Sequence, residues 1–117
     1  MFDKSHKTTR PSIFEGIIEG AGYDAAMTLA LACGGSRIYI PQNVRNTRLE
    51  RLVGTEVTAA ISKVSANCVI EVPLANERLV FWLEARGESQ DEIARKLRLT
   101  RRAVQRIMAG DYIPWPV

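Results

Sequence analysis

The stretch from Ser89 to Ala109 is the part of the sequence that most restricts how this chain can fold. Ser89 is followed three residues later by Glu92, a capping box that predicts the start of a helix. Thr100 is a second N-cap candidate. Behind each cap, apolar residues recur at helical spacing: Ile93, Ala94 and Leu97, then Val104, Ile107 and Met108. Two short helices joined by about three residues, each with one apolar stripe, are typical of a helix-turn-helix.

The outer surface of the second helix indicates what such a hairpin would bind. With Val104 and Ile107 turned inward, the outward residues are Thr100, Arg101, Arg102, Gln105 and Arg106. Arginine can form two hydrogen bonds with guanine, glutamine can do the same with adenine, and further arginines reach phosphates. Arg95 and Arg98 add cationic groups, and Arg98 stands in the turn where many such motifs have glycine. We therefore expect these seven residues to contact double-stranded DNA. The alternative is a plain helical hairpin with a solvated basic face.

Charge is distributed unevenly along the 117 residues, whose net charge is +3. Residues 1–12 carry three basic residues against Asp3, and residues 89–110 carry six against two, so the rest of the chain is net acidic. Clustering of this kind is the electrostatic pattern of a nucleic-acid binder. Residues 1–12 are predicted to form a flexible basic arm. It either lies along DNA or is simply a disordered terminus.

Between the arm and the hairpin, the sequence predicts helices interrupted by two short strands. Helices are expected from Ser12 onward with a break near Gly20–Gly22, after a cap at Asn46 or Thr47, over Thr55–Ser65 and over Ala75–Arg86. Ile13, Leu52, Val64 and Phe81 are expected to face inward. The fold class is therefore mainly α, a helical domain with a short two-stranded β ribbon and a C-terminal helix-turn-helix. The domains are predicted as the arm 1–12, a helix-strand dimerisation region 13–76, a DNA-binding region 77–110 and a Pro-rich tail 111–117.

The two predicted strands carry similar motifs, Ile38-Tyr39-Ile40-Pro41 and Ile70-Glu71-Val72-Pro73, which lie 32 residues apart. Each motif follows a helix and precedes another, which indicates either a tandem duplication or a chance match. A lone short strand has unpaired edges, so two of them in one chain can pair, and an antiparallel pairing gives a ribbon. The predicted ribbon and dimer residues are Ile38, Tyr39, Ile40, Val69, Ile70 and Val72.

The block Gly34-Gly35-Ser36-Arg37-Ile38-Tyr39-Ile40-Pro41, followed by a helix-turn-helix near residues 77–108, resembles the Mor transcription activator family of Mu-like bacteriophages. The resemblance implies a dimerisation domain built from a helix and this strand, in which Gly34 and Gly35 form the turn. It implies a helix-turn-helix that binds promoter DNA, and gene activation through RNA polymerase. The segment near 55–76 departs from the family pattern. We therefore expect the second strand to occupy the place that a partner's strand takes in the family dimer.

Other function classes find little support in the sequence. His6 is the only histidine, and there is no Gly-rich phosphate loop, Ser/His/Asp set or metal-ligand spacing, so we expect no enzyme activity, cofactor or metal. Cys33 and Cys68 are expected to be reduced and buried. No apolar run approaches the roughly 20 residues of a membrane helix.

The resulting hypothesis is a sequence-specific transcriptional regulator of phage or prophage type, an activator or a repressor. We expect it in the cytoplasm of a bacterial host, associated with the nucleoid. Because a single helix-turn-helix binds DNA weakly, a homodimer is expected. The alternatives are a protein-interaction module and an accessory protein of phage DNA recombination or packaging.

Overall fold

The structure is a computed structural model that describes residues 13–110. Within this range it has seven helices and two strands. The elements are α1 (Ile13–Ala21), α2 (Tyr23–Cys33), β1 (Arg37–Ile40), α3 (Arg48–Val53), α4 (Thr55–Ser65), β2 (Cys68–Glu71), α5 (Asn76–Ala85), α6 (Gln90–Leu97) and α7 (Arg101–Ala109). The predicted fold class is confirmed. Contacts divide the chain after Leu74 into an N-terminal and a C-terminal unit. The predicted arm, the cap at Ser12 and the tail lie outside the described residues.

The N-terminal unit is built from two helix pairs, each interrupted by a glycine. Gly22 separates α1 from α2, and Gly54 separates α3 from α4. Of the two cap candidates for α3, Thr47 is the N-cap, and its hydroxyl oxygen accepts a hydrogen bond from the Glu50 N–H at 3.1 Å. The largest side chains without exposed surface in this unit come from both pairs and both strands: Ile17, Met27, Leu29, Ile40, Leu49, Ile61, Ile70 and Val72.

The two strands pair with each other in antiparallel orientation, as expected. Ile38 lies opposite Ile70, and Tyr39 lies opposite Val69. Successive side chains of a strand point to opposite faces, so one face of the ribbon enters the core and the other faces outward. Ile38, Ile40, Ile70 and Val72 are buried, whereas Tyr39 is 53% exposed and Val69 60% exposed. The strand predicted over Cys68–Pro73 ends at Glu71.

Several residues predicted to face inward are exposed. In the N-terminal unit, Ile13, Leu52 and Val64 keep 50%, 43% and 37% of their surface. Helix α3 buries Leu49 but leaves Leu52, one turn later, exposed. Helix α4 instead buries Thr58 and Ser65 with Ile61, because its inner face is rotated from the predicted Val57–Val64 stripe.

The cysteines differ from each other. Cys33 is buried, as predicted, and this burial raises the pKa of its thiol, which makes it a poor nucleophile. The prediction that Cys68 is buried is wrong. It is the first residue of β2, at the end of the ribbon, and its side chain is exposed.

The C-terminal unit consists of α5, α6 and α7 around a small core. The buried residues of this core are Val80, Leu83, Ile93, Ala94, Val104 and Ile107. Trp82, Leu97, Leu99 and Met108 pack against it and are partly buried. Helices α6 and α7 cover only one face of α5, so Val80 and Leu83 are buried while Phe81 is 47% exposed, which corrects its predicted place in the core.

Candidate nucleic-acid interface

The start of each helix in the hairpin is defined by a side-chain cap. The Ser89 hydroxyl oxygen accepts a hydrogen bond from the Glu92 N–H at 3.2 Å, and a Glu92 carboxylate oxygen accepts one from the Ser89 N–H at 2.9 Å. The hydrogen bonds with the backbone and side chain of Ser89 lower the pKa of Glu92. The Thr100 hydroxyl oxygen accepts a hydrogen bond from the Ala103 N–H at 3.0 Å. Both predicted caps are confirmed, so the hairpin geometry follows from local sequence signals.

The connection between α6 and α7 is the three-residue turn Arg98–Thr100. Arg98 adopts the left-handed conformation, with φ 58° and ψ 42°, and the Leu99 N–H donates to the Ala94 carbonyl oxygen at 2.9 Å. This conformation is cheapest for glycine, which explains the glycine of many such turns. Arg98 therefore holds a strained backbone position while its side chain is exposed.

All seven residues predicted to contact DNA are exposed. Thr100, Arg101 and Arg102 stand at the N-terminal end of α7, and Gln105 and Arg106 follow one turn later. Among the described residues, the Arg102 and Arg106 side chains form no ion pair, so both cations are available to a polyanion.

An acidic group of α6 reaches the edge of this surface. Arg101 Nη1 lies 3.7 Å from the Asp91 Oδ1 atom, and both side chains are more than 60% exposed. An exposed ion pair of this kind stabilises a protein by at most about 1 kcal/mol. Helix α7 itself contains no acidic residue, as predicted, but Asp91 of α6 partly neutralises the charge of Arg101.

Gln90, which the sequence analysis did not identify, contacts the predicted reading residue Gln105. The Gln105 Nε2 atom donates to the Gln90 Oε1 atom at 3.1 Å, and the Gln90 Nε2 atom donates to the Met108 sulfur at 3.6 Å. This arrangement leaves the Gln105 Oε1 atom and one N–H available. The pair joins the first turn of α6 to the second turn of α7, and no periodicity of either helix indicates it.

Lys96 also contributes to the basic charge of this segment, but its ammonium group is paired with a carboxylate of the protein. Its Nζ atom lies 2.6 Å from the Glu88 Oε2 atom. This ion pair connects α6 to the segment that follows α5. The cationic surface of the hairpin therefore consists of arginines. Arg86, which follows α5, instead stacks over the Trp82 ring at 4.8 Å from its centroid.

The predicted ribbon residues are brought together, but most of them do not reach the surface. On the outer face of the ribbon, Tyr39 and Val69 present large exposed apolar side chains, flanked by an ion pair between Arg37 Nη2 and Glu71 Oε2 at 3.1 Å. An open depression of about 570 Å³ lies beside the ribbon and is lined in part by Ile13, Val69 and Pro73.

Within residues 13–110, no cluster of three or more His, Cys, Asp or Glu side chains is arranged to hold a metal ion. No helix in that range has the length and apolar character needed to cross a membrane.

No protein-family model, no curated protein and no solved structure matches the chain. The resemblance to the Mor family thus stays a prediction that rests on the residues quoted for it.

Proposed function

We propose that this protein is a sequence-specific DNA-binding transcriptional regulator of phage or prophage type that reads DNA with α7. The observation that carries this proposal is the exposed, acid-free face of α7, which combines Arg101, Arg102, Gln105 and Arg106 on one capped helix. A helix of about this length fits the major groove, where base edges present distinct donors and acceptors. Arg95 lies in the last turn of α6 and Arg98 in the turn that follows it, and both contact phosphates.

In this proposal the residues have different tasks. Arg101 and Gln105 read base edges, and Gln90 positions Gln105. Glutamine reads adenine by accepting from N6 and donating to N7. Gln90 accepts one of the two Gln105 N–H groups, so in this proposal the N–H on the same side as Oε1 is the one left to donate to adenine N7, while Oε1 accepts from N6. Gln90 thus orients the amide toward adenine without using the atoms that recognise it.

One helix-turn-helix per chain binds DNA weakly, so we propose that two chains act together on two half-sites about one helical turn apart. RNA polymerase is the further partner of an activator, and association with the nucleoid follows from DNA binding. The second candidate is an accessory protein of phage DNA recombination or packaging. The exposed Tyr39 and Val69 favour a third, a module that binds another protein through the ribbon.

Selection of bound duplexes from a random-sequence pool, at two salt concentrations, tests the proposal. An inverted repeat with half-sites about one helical turn apart is the expected result. Salt-sensitive binding without any motif would favour the accessory role, because phosphate contacts alone carry no sequence information. Absence of binding at low salt would refute the proposal and leave the ribbon as the surface to study.

Two matched variants then separate base reading from phosphate contact. Arg101→Ala should relax base preference at one position by about 1–3 kcal/mol, whereas Arg95→Ala should weaken binding to all sequences alike. An equal loss on every sequence from both variants would argue against base reading by Arg101.

A further inference from the structure

The N-terminal unit contains two halves that correspond at an offset of 32 residues. Helices α2 and α4 both have 11 residues, and Tyr23 and Thr55, their first residues, are 32 positions apart. The N-caps Gly22 and Gly54 share an unusual backbone conformation, with φ 102° and ψ 155° in the first and φ 92° and ψ 164° in the second. Each of these glycines also follows a helix, α1 or α3.

The same correspondence continues beyond the helices into the strands. The C-caps Gly34 and Ala66 have φ −55° and ψ 136°, and φ −56° and ψ 143°. The next residues, Gly35 and Asn67, are both left-handed, with φ 83° and φ 65°. Asparagine is among the few residues other than glycine that adopt a positive φ with some frequency, so it can take the place of Gly35 at the equivalent position. The halves are therefore alike in conformation where their sequences differ.

Four pairs of large apolar residues at equivalent positions are buried in both halves. Ile17 and Leu49, Leu29 and Ile61, Ile38 and Ile70, and Ile40 and Val72 form four pairs at this offset, and all eight side chains are at most 9% exposed. The two halves therefore contribute equivalent side chains to one core, which neither of them would fill alone.

The register of the ribbon gives the two halves two-fold pseudo-symmetry. Ile38 lies opposite Ile70, which is its own counterpart at the offset of 32. The Gly35 N–H donates to the Val72 carbonyl oxygen at 2.7 Å, and the Asn67 N–H donates to the Ile40 carbonyl oxygen at 2.7 Å. Exchanging the halves turns each of these hydrogen bonds into the other. In a symmetric dimer, residue i of one subunit contacts j of the second while j contacts i, and this ribbon has that pattern inside one chain.

We infer that the N-terminal unit is a fused pseudo-dimer, a tandem duplication of a helix–Gly–helix–strand element whose copies pair as two identical subunits would. The edge of β1 that would pair with the strand of a partner subunit is therefore already paired with β2 of the same chain. Only the second copy leads into a helix-turn-helix, because β2 precedes α5 whereas β1 precedes α3. Within residues 13–110 each ribbon carries a single helix-turn-helix, so a second chain has to associate through another surface. This last consequence rests on the proposed function, but the pseudo-dimer does not.

If the N-terminal unit is a fused pseudo-dimer, both strands of the ribbon come from one chain and are not exchanged between two chains. A disulfide between the two strands distinguishes these two arrangements. Tyr39 and Val69 face each other in a pair without mutual backbone hydrogen bonds, since the bonded positions alternate with them. Such pairs have Cα atoms about 4.5 Å apart, within the range that a disulfide spans. The variant is Tyr39→Cys with Val69→Cys in the full chain, with Cys68→Ser to remove the neighbouring exposed thiol.

After oxidation at low protein concentration, non-reducing electrophoresis and mass spectrometry should find the disulfide within single chains in nearly all of the protein. Mixing two chains of different mass before refolding reports exchange, because exchanged strands would link heavy to light chains. The single variants Tyr39→Cys and Val69→Cys, in the same background, are the controls and should form no internal disulfide.

A second pair guards against misfolding of the first. Arg37→Cys with Glu71→Cys links the other exposed pair of the ribbon, where the present ion pair is solvent-exposed. Internal disulfides in either double variant support the pseudo-dimer. Disulfides that link two chains in both, or no disulfide in either, would overturn it. The assay contains no DNA, so a failure of DNA binding leaves its outcome unaffected.

Discussion

Replacing Gln90 by alanine should weaken adenine recognition by Gln105 although Gln90 itself contacts no base in the proposed complex. The Gln105 Nε2 atom donates to Gln90 at 3.1 Å, and Gln90 is in turn oriented by Met108 at 3.6 Å. Without Gln90, the exposed Gln105 side chain rotates freely, and its amide presents donor and acceptor in either order. The loss should therefore appear as reduced preference for adenine and not as reduced affinity for all DNA.

The expected magnitudes follow from the bonds involved. A neutral intramolecular hydrogen bond contributes about 0.5–1.5 kcal/mol, so Gln90→Ala should reduce adenine preference by about 2- to 13-fold. Gln105→Ala removes the base contact itself, which discriminates by about 1–3 kcal/mol, or about 5- to 160-fold. Gln105→Ala should therefore have the larger effect, and adding Gln90→Ala to it should change nothing further.

The assay is a double-mutant cycle with fluorescence-anisotropy binding to the selected duplex and to one with the adenine replaced. Affinity ratios for the two duplexes are measured for the wild type, both single variants and the double variant. A Gln90→Ala effect of the same size in the Gln105→Ala background would refute the positioning role, because the two residues would then act independently.

Three further predictions concern the same hairpin. Asp91→Asn should raise DNA affinity by about 1.5- to 5-fold at low salt, because an exposed ion pair with Arg101 contributes about 0.2–1 kcal/mol; an unchanged affinity in titrations at low salt would contradict this. Arg98→Gly should stabilise the chain in urea by about 1 kcal/mol, since it relieves a left-handed non-glycine residue, yet lower the salt dependence of binding by about one phosphate contact. Ser89→Ala should cost about 0.5–2 kcal/mol at neutral pH. Hydrogen bonds with Ser89 lower the pKa of Glu92, so the contribution of Glu92 is complete above the ordinary carboxyl pKa and is lost as the pH falls through its folded value. Acid unfolding monitored by circular dichroism should therefore begin at a lower pH in the wild type than in Ser89→Ala. The free energy of unfolding of Ser89→Ala should depend less on pH than that of the wild type.

Features determined by residues close in sequence could be predicted. The capping box at Ser89, the cap at Thr100 and the break at Gly22 depend on atoms within four residues of each other. The pairing of the two strands could also be predicted, because short strands with unpaired edges require a partner. The local pattern therefore identifies the helix-turn-helix and most of its exposed face.

Contacts between side chains of different helices could not be predicted from the sequence. The Gln90–Gln105 bond and the approach of Asp91 to Arg101 depend on how α6 and α7 cross, which periodicity within one helix does not specify. The exposure of Phe81 has the same origin, since it depends on how much of α5 two short helices can cover. The sequence therefore predicted which side chains of α7 are exposed, but not the contacts that Gln90 and Asp91 make with two of them.

Glycines in α1 show most directly how a contact between helices reverses a local expectation. Gly16 and Gly20 both weaken this helix in isolation, and glycine in a helix costs about 0.5–1 kcal/mol relative to alanine. A Cβ atom at Gly16 would meet nothing within 4 Å. A Cβ atom at Gly20 would lie 2.6 Å from the Val64 Cγ2 atom of α4, so either the Val64 side chain or one of the two helices would have to shift.

Gly16→Ala should therefore stabilise the chain by about 0.5–1 kcal/mol, as helix propensity predicts. Gly20→Ala should destabilise it, because overpacking costs about 1–3 kcal/mol and outweighs the gain in propensity. Val64 is stiff at its Cβ atom and cannot move its methyl groups aside cheaply. Its replacement by alanine in the Gly20→Ala background should restore most of the loss. Urea unfolding of the three variants measures these differences, and equal stability of Gly16→Ala and Gly20→Ala would show that α1 and α4 do not approach each other at this point.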